Sequence, residues 1–174
     1  MSRVYWLTGL SGAGKTTIGT LLYQKLREEQ DNVVFLDGDQ LRQVFGDDLG
    51  YTPDQRLKSA MRNARLCKLL SDQGLDVVCC TISMFDSVRD WNRAHIPGYV
   101  EVYLRVSLET LYQRDQKGLY TQGDGTVAGV HFSVEEPKHP DLVLDNNGAC
   151  TPQEQAEKIW KLILKRQRGN DNEN

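Results

Sequence analysis

Short apolar runs separated by amphipathic stretches make up most of this chain. Four of the runs are continuous, as is typical of strands buried on both faces of a parallel sheet, at residues 4–7, 32–36, 77–82 and 142–144. A fifth run at 99–106 alternates strictly between apolar and polar residues, which predicts a half-exposed strand. Helical patterns lie between the runs. We therefore predict an α/β fold, in which helices cover both faces of a five-stranded parallel sheet with right-handed crossovers.

Residues with helix-capping character mark where several predicted helices begin. The segment Thr52-Pro53-Asp54-Gln55 combines an N-cap, a proline at the first helical position and the glutamine of a capping box. It predicts a helix that ends at Gly74, since glycine commonly follows a helix C-terminus. Single N-caps are predicted at Asp39, Ser107 and Thr151.

The segment 9–17, Gly-Leu-Ser-Gly-Ala-Gly-Lys-Thr-Thr, matches the phosphate-loop pattern G-x-x-x-x-G-K-[ST] at every fixed position. Its glycines let backbone N–H groups wrap a phosphate, Lys15 reaches the β- and γ-phosphates, and the Thr16 hydroxyl is expected to hold Mg²⁺. The helix that begins near Lys15 adds its positive N-terminal dipole. We predict a P-loop NTPase-type three-layer sandwich with ATP and Mg²⁺ as cofactors. The expected ATP-binding residues are Gly9, Ser11, Gly12, Ala13, Gly14, Lys15, Thr16 and Thr17.

Candidate catalytic groups follow two of the predicted strands. Asp37 and Asp39 come after the second strand, and Ser83-Met84-Phe85 come after the third. The carboxyl ends of parallel strands meet at the ligand crevice, so these residues are expected beside the phosphate loop. One aspartate would act on an acceptor hydroxyl and the other on the metal. Asp39 and Asp37 are our respective candidates, although the sequence leaves this choice open.

The helix that begins at Pro53 has two different faces. Its apolar face carries Leu57, Ala60, Met61, Ala64 and Cys67. A second face carries Arg56, Ser59 and Arg62. That face either looks into the crevice or, as is more common for arginines on a helix, lies in solvent.

The length of 174 residues predicts one domain over 1–168, followed by a polar tail at 169–174 that we expect to be disordered. Residues from Gln116 onward carry several glycines and no periodic apolar pattern. A long loop of this kind in a compact domain is typical of a mobile lid, which we place at about 116–136.

Charge and composition narrow the class of partner. The net charge of −3 argues against a nucleic-acid surface and favours a small-molecule substrate. No signal-type segment and no apolar run of membrane-spanning length is present, so a cytoplasmic protein without a membrane partner is expected. The four cysteines lack metal-ligand spacing and are expected to be reduced and buried, at Cys67, Cys79, Cys80 and Cys150.

Taken together, these motifs resemble the adenylylsulfate kinase family from about residue 3 to residue 163. Besides the phosphate loop, the similarity includes 36–42, Gly50-Tyr51, Arg56, 114–120 and 140–145. The resemblance implies a cytoplasmic enzyme that uses Mg·ATP to phosphorylate the ribose 3′-hydroxyl of adenosine 5′-phosphosulfate. A homodimer is the candidate assembly.

The resemblance also implies roles for individual residues. Asp39 occupies the position of the catalytic carboxylate, and Arg42 and Arg56 occupy those of substrate-binding arginines. Lys15 and Lys117 would offset charge on the transferred group, with Lys117 in the family's ATP-side lid. Other implied contacts are Arg114 with ATP, and Ser59, Ser83, Met84 and Phe85 with the acceptor.

Several departures from the family pattern fall on the acceptor side. Asp86 follows Phe85 where an arginine is usual, Ser59 replaces an asparagine, and Val127 aligns with a phenylalanine expected to stack on the substrate adenine. A second branch, the cytidine diphosphoramidate kinases associated with capsule modification, is similar to this chain around 81–85 and 114–120. The acceptor therefore stays open between these two nucleotides.

Two hypotheses from other classes compete with a nucleotide kinase. A non-catalytic nucleotide-binding regulatory domain predicts a damaged phosphate loop or a GTPase base motif, and the chain has neither. A sugar or metabolite kinase on the same fold leaves Arg56 and residues 114–120 unexplained. The discriminating observation is whether ATP consumption depends on an added nucleotide.

Overall fold

The computed structural model describes residues 1–115, 118–122 and 127–171. Within these ranges five strands form one parallel sheet: β1 (Val4–Thr8), β2 (Val33–Asp37), β3 (Asp76–Thr81), β4 (Tyr99–Arg105) and β5 (Leu142–Asp145). Their order across the sheet is β2-β3-β1-β4-β5. Because β1 is the central strand, the loop that follows it lies at the middle of the sheet's carboxyl edge.

Helices pack on both faces of the sheet. They are α1 (Lys15–Glu29), α2 (Gly38–Val44), α3 (Pro53–Asp72), α4 (Asp86–His95), α5 (Leu108–Arg114) and α6 (Pro152–Asp171). On β1, Tyr5 and Leu7 face α1 and α6, whereas Val4 and Trp6 face α3 and α4, as the alternation of a strand requires. The chain is therefore a three-layer α/β sandwich, as the sequence predicted.

The helix caps agree with the sequence at three positions and differ at one. Thr52 forms the predicted capping box, Ser107 caps α5, and Thr151 accepts a hydrogen bond from the backbone of Glu154 at the start of α6. The prediction that Asp39 is an N-cap is wrong. Asp37 caps α2, because its Oδ1 accepts from the backbone N–H of Asp39 at 3.0 Å.

The half-exposed strand predicted at 99–106 is also wrong. In β4 the residues from Tyr99 to Leu104 are buried, since the strand pairs with β1 on one side and β5 on the other. Glu101, which the alternating pattern placed in solvent, is 1% exposed. It accepts a hydrogen bond from the Tyr99 hydroxyl at 2.9 Å and pairs with Arg93 at 3.1 Å. The pattern failed because a charged residue looks the same in a sequence whether it is buried in an ion pair or faces solvent.

The burial of Glu101 predicts a pH effect on stability. Desolvation raises the pKa of this carboxyl above its ordinary value. The folded state thus holds the proton more tightly, and the stabilisation present below the unfolded pKa is lost as pH rises through the folded pKa. We expect Glu101→Gln to become more stable relative to wild type over that interval. Denaturant unfolding of both proteins from about pH 4 to pH 8 measures this, and a difference that does not change with pH would contradict it.

The C-terminal boundary and the cysteines bring two smaller corrections. Helix α6 continues through Asp171, beyond the predicted start of the tail at 169, while residues 172–174 lie outside the described ranges. All four cysteines are free thiols, but Cys150 is half-exposed and not buried. No helix in the described part of the chain has the length and apolar character needed to cross a membrane.

Candidate active site

The loop between β1 and α1 has the backbone shape of a phosphate cradle. Gly12 and Gly14 have φ values of 80° and 98°, in the left-handed region that favours glycine. A Cβ at Gly14 would lie 2.6 Å from Nδ2 of Asn146, which donates to the carbonyl oxygen of Ala13 at 2.8 Å. Only glycine therefore lets the Asn146 amide fasten the loop at the N-terminus of α1, where a bound anion is favoured.

The lysine and threonine of the loop are placed for charge and metal chemistry. Lys15 Nζ donates to the carbonyl oxygens of Gly9 at 2.8 Å and Leu10 at 2.7 Å, which holds the ammonium against the loop. Thr16 Oγ1 lies 2.6 Å from Oδ2 of Asp37. A hydroxyl and a carboxylate together are oxygen ligands of the kind Mg²⁺ prefers, and Mg²⁺ commonly uses one or two such side chains plus phosphate oxygens. These residues therefore fit the ion.

A cavity of about 720 Å³ opens above this loop. Six of the predicted ATP-binding residues line it together with Arg114: Ser11, Gly12, Gly14, Lys15, Thr16 and Thr17. Gly9 and Ala13 lie beneath the lining, where a Cβ at Gly9 would come 2.6 Å from the carbonyl oxygen of Leu104. The loop thus presents most of its predicted residues to the cavity and packs the other two against the sheet. We call this space the donor cavity.

A second, smaller cavity of about 130 Å³ shares four lining residues with the donor cavity. Its lining includes Asp39 and the other described residues that the resemblance implied as acceptor-binding: Arg42, Arg56, Ser59, Ser83, Met84 and Phe85. Ser83 has a φ of 34°, and its hydroxyl lies 2.7 Å from that of Thr81. We call this space the acceptor cavity.

Two arginines and two aromatic rings form one wall of the acceptor cavity. The Arg42 guanidinium lies 4.3 Å from the Tyr51 ring centroid, and that of Arg56 lies 5.3 Å from it. Arg56 also lies 5.8 Å from the Phe132 ring. The backbone holds both arginines in place, since Arg42 donates to Leu49 and Arg56 donates to Tyr51, each at 2.8 Å. Positive charge and aromatic faces therefore occur together, a combination suited to an anionic nucleotide.

Asp39 lines both the donor cavity and the acceptor cavity. It shares this position with Gly38, Thr81 and Ile82. Asp37, by contrast, lines only the donor cavity and contacts Thr16. A carboxylate between two binding spaces can accept a proton from a group in one while that group attacks a phosphate in the other.

The sequence did not single out Phe132, which lines the acceptor cavity. Val127, which aligned with the family's stacking phenylalanine, is 5% exposed and is not part of the cavity lining. The aromatic ring comes from five residues further along the chain. Motif alignment missed it because loops of different length can bring different positions to the same place.

Asp86, which stands where the family usually has an arginine, does not bring its negative charge into the acceptor cavity. The Asp86 carboxylate pairs with Arg89 at 2.6 Å and with Lys138 at 2.7 Å, and it does not line the acceptor cavity. Hydrogen bonds from Lys138 and then Arg89 lower the pKa of this carboxyl. Arg62 likewise lies outside the cavity, where it makes a two-bond contact with Asp48.

The described parts of the predicted lid contact both cavities. The Tyr120 hydroxyl donates to the carbonyl oxygen of Ser11 at 2.6 Å, and burial raises the pKa of Tyr120 to about 12. Ser133 and Val134 line the acceptor cavity beside Phe132. Lys117, predicted to be catalytic, lies outside the described ranges.

Comparison with known proteins identifies the family. A model of the family described as adenylylsulphate kinase matches residues 1–145. The cytidine diphosphoramidate kinase of Campylobacter jejuni subsp. jejuni serotype O:2 is 41% identical over 164 residues, which are 92% of this chain and 95% of that protein. An adenylyl-sulfate kinase of Bacillus velezensis is 38% identical over 159 residues, or 88% of this chain and 80% of that protein.

A solved structure is similar in three dimensions as well. The Mycobacterium tuberculosis APS kinase CysC in complex with AMPPNP and APS has a TM-score of 0.85 at 30% identity, covering 93% of this chain and 97% of that one. Similarity at this level, over nearly the full length of both chains, extends beyond the shared P-loop fold. This chain therefore belongs to the adenylylsulphate kinase family and is an ATP-using phosphotransferase.

Proposed function

We propose that this enzyme transfers the γ-phosphate of Mg·ATP to the ribose 3′-hydroxyl of a small nucleotide. The observation that carries the proposal is the position of Asp39, which lines both the donor and the acceptor cavity. A kinase that binds two nucleotides needs a group at their junction, and Asp39 is the carboxylate found there. The lid then closes over both substrates and excludes water.

In the proposed reaction the acceptor's 3′-oxygen forms a bond to the γ-phosphorus while the bond from that phosphorus to the β,γ-bridging oxygen breaks. ADP leaves with the electron pair, and Asp39 accepts the hydroxyl proton. Lys15 binds the β- and γ-phosphates, and Thr16 and Asp37 would hold Mg²⁺, which would supply positive charge to offset that of the phosphates. Arg42 and Arg56 hold the anionic end of the acceptor. Lys117 keeps a proposed charge-offsetting role from the family resemblance.

For the acceptor we propose a cytidine diphosphate derivative such as cytidine diphosphoramidate. The relative at 41% identity carries that name, and Ser59 departs from the adenylylsulfate kinase pattern within the acceptor cavity. Adenosine 5′-phosphosulfate is the second candidate. It is supported by the family match and by the aromatic ring that Phe132 supplies.

A panel of both nucleotides under identical Mg·ATP tests the choice of acceptor. We expect the specificity constant, kcat/KM, to be higher for the cytidine diphosphate derivative. A strong preference for adenosine 5′-phosphosulfate would contradict the cytidine proposal and leave the 3′-kinase proposal intact. The cytoplasmic location and the homodimer stay predictions.

The Phe132 ring offers a direct test of the acceptor cavity. Because stacking of a base on an aromatic ring is worth about 1–3 kcal/mol, we expect Phe132→Ala to raise the acceptor KM by about tenfold, with the KM for ATP unchanged. Steady-state kinetics with each substrate varied in turn measures both. Phe45→Ala is the matched control, since Phe45 packs under Arg62 outside both cavities. An equal rise in both KM values would show that Phe132 supports the fold and not the acceptor.

A further inference from the structure

One polar side chain of the acceptor cavity takes part in none of the contacts described above. Asn63 on α3 is 4% exposed and lines the cavity. Its amide makes no hydrogen bond with any residue of the described ranges. Two other buried polar side chains of the lining, Thr81 and Ser83, pair with each other at 2.7 Å. Asn63 is also not among the side chains whose polar atoms are shielded from solvent without a partner, so its amide is open to the cavity. An amide that is unpaired within the protein and open to a binding cavity can hydrogen-bond to a ligand.

The position of Asn63 along α3 indicates which part of a nucleotide it meets. Asn63 follows Arg56 by seven residues, which is two helical turns on the same face. At 1.5 Å per residue the two backbones are about 10 Å apart along the helix. This is on the order of the distance from the 5′-phosphate of a nucleotide to the far edge of its base. If Arg56 holds the anionic end, Asn63 lies at the base.

The surroundings of Asn63 fit a flat ring with one polar edge. Apolar side chains make up much of the cavity lining, among them Ala60, Ile82, Met84, Phe85 and Phe132. An asparagine amide presents a donor and an acceptor side by side, which matches an amino group next to a ring nitrogen. Cytosine and adenine both carry such an edge.

We propose that the Asn63 amide hydrogen-bonds to the amino and ring-nitrogen edge of the acceptor's base and thereby acts as a specificity residue of the acceptor cavity. The amide donates to the ring nitrogen and accepts from the amino group. This proposal rests on the proposed function in taking the acceptor to be a nucleotide whose anionic end lies at Arg56. Binding can be measured without phosphoryl transfer, so the two proposals can fail separately.

The test compares nucleotides with a ligand that has no base. With the donor cavity saturated by a non-hydrolysable ATP analogue, titration calorimetry measures the affinity for cytidine 5′-diphosphate, adenosine 5′-phosphosulfate and ribose 5-phosphate. For Asn63→Leu we expect about tenfold weaker binding of at least one nucleotide, equivalent to about 1.4 kcal/mol, and unchanged binding of ribose 5-phosphate. If the affinity for only one nucleotide falls, Asn63 recognises the base of that nucleotide. If the affinity for both falls, Asn63 recognises the amino and ring-nitrogen edge that the two bases share.

Two further variants separate a binding role from a structural one. Asn63→Ala cannot block the cavity by size, so the same selective loss is expected. Asn92→Leu is the control, because Asn92 is fully buried on α4 and does not line the acceptor cavity. Its nucleotide affinities should equal those of wild type.

The melting temperature gives an independent readout. Since the amide has no protein partner, Asn63→Leu should raise the Tm without nucleotide by about 2–4 °C, while it weakens nucleotide binding. Three results would overturn the proposal. They are unchanged nucleotide affinity in both Asn63 variants, equal loss of ribose 5-phosphate binding, or loss of folding in both variants, which would make Asn63 a structural residue.

Discussion

Replacing Lys15 with alanine is expected to lower kcat by about a hundredfold or more. Lys15 is the cation of the phosphate loop, and its ammonium is already held at the loop by the carbonyl oxygens of Gly9 and Leu10. A group fixed in this way stabilises developing charge without reorganising, and removing one such donor typically costs a factor of about 100 to 1,000 in rate. Steady-state kinetics at saturating acceptor measures the loss, with calorimetry reporting ATP affinity.

Lys25→Ala is the matched control for that variant. Lys25 also lies on α1, but it pairs with Glu157 at 2.5 Å and lines neither cavity. Its kcat should remain that of wild type. Wild-type turnover in Lys15→Ala would remove the phosphate loop from the mechanism.

The second large effect is expected for Asp39→Asn, which should also lower kcat by about a hundredfold or more. General-base catalysis contributes a factor of about 100 to 10,000, and the amide cannot accept the hydroxyl proton. ATP affinity should change little, because Thr16 and Asp37 form the proposed metal site without Asp39. The measurement pairs kcat with the dissociation constant of ATP.

Asp48→Asn is the matched control, because it makes the same aspartate-to-asparagine change outside both cavities. Asp48 pairs with Arg62 at 2.9 Å and lines neither cavity, so its loss should leave kcat unchanged. If Asp39→Asn instead loses ATP affinity and turns over normally at saturating ATP, Asp39 is a binding group. Asp37 would then be the better candidate for the base.

The fold and the donor cavity could be predicted because their signals are local. The phosphate loop is a contiguous motif between a strand and a helix, and each strand was marked by its own apolar run. The convergence of Asp39 and Ser83 followed from a general property of parallel sheets, that the carboxyl ends of strands share one edge. Neither prediction required knowledge of which side chains contact each other.

The remaining features depend on contacts between distant parts of the chain. Glu101 is buried because Arg93, eight residues earlier on α4, reaches it. Phe132 supplies the aromatic ring that the family pattern places at the position of Val127. It can do so because the chain brings it next to Arg56. Asp86 is neutralised by Lys138 from the far end of the same loop. No single-sequence pattern contains these pairings.

The most direct test of the central claim is the identity of the phosphorylated product. The enzyme is incubated with Mg·ATP and either cytidine diphosphoramidate or adenosine 5′-phosphosulfate, and the position of the new phosphate is read by NMR. Our account predicts ATP consumption that requires the nucleotide, with one ADP formed for each 3′-phosphorylated product. ATP consumption that is independent of both nucleotides, or a phosphate placed anywhere but the ribose 3′-oxygen, would contradict it.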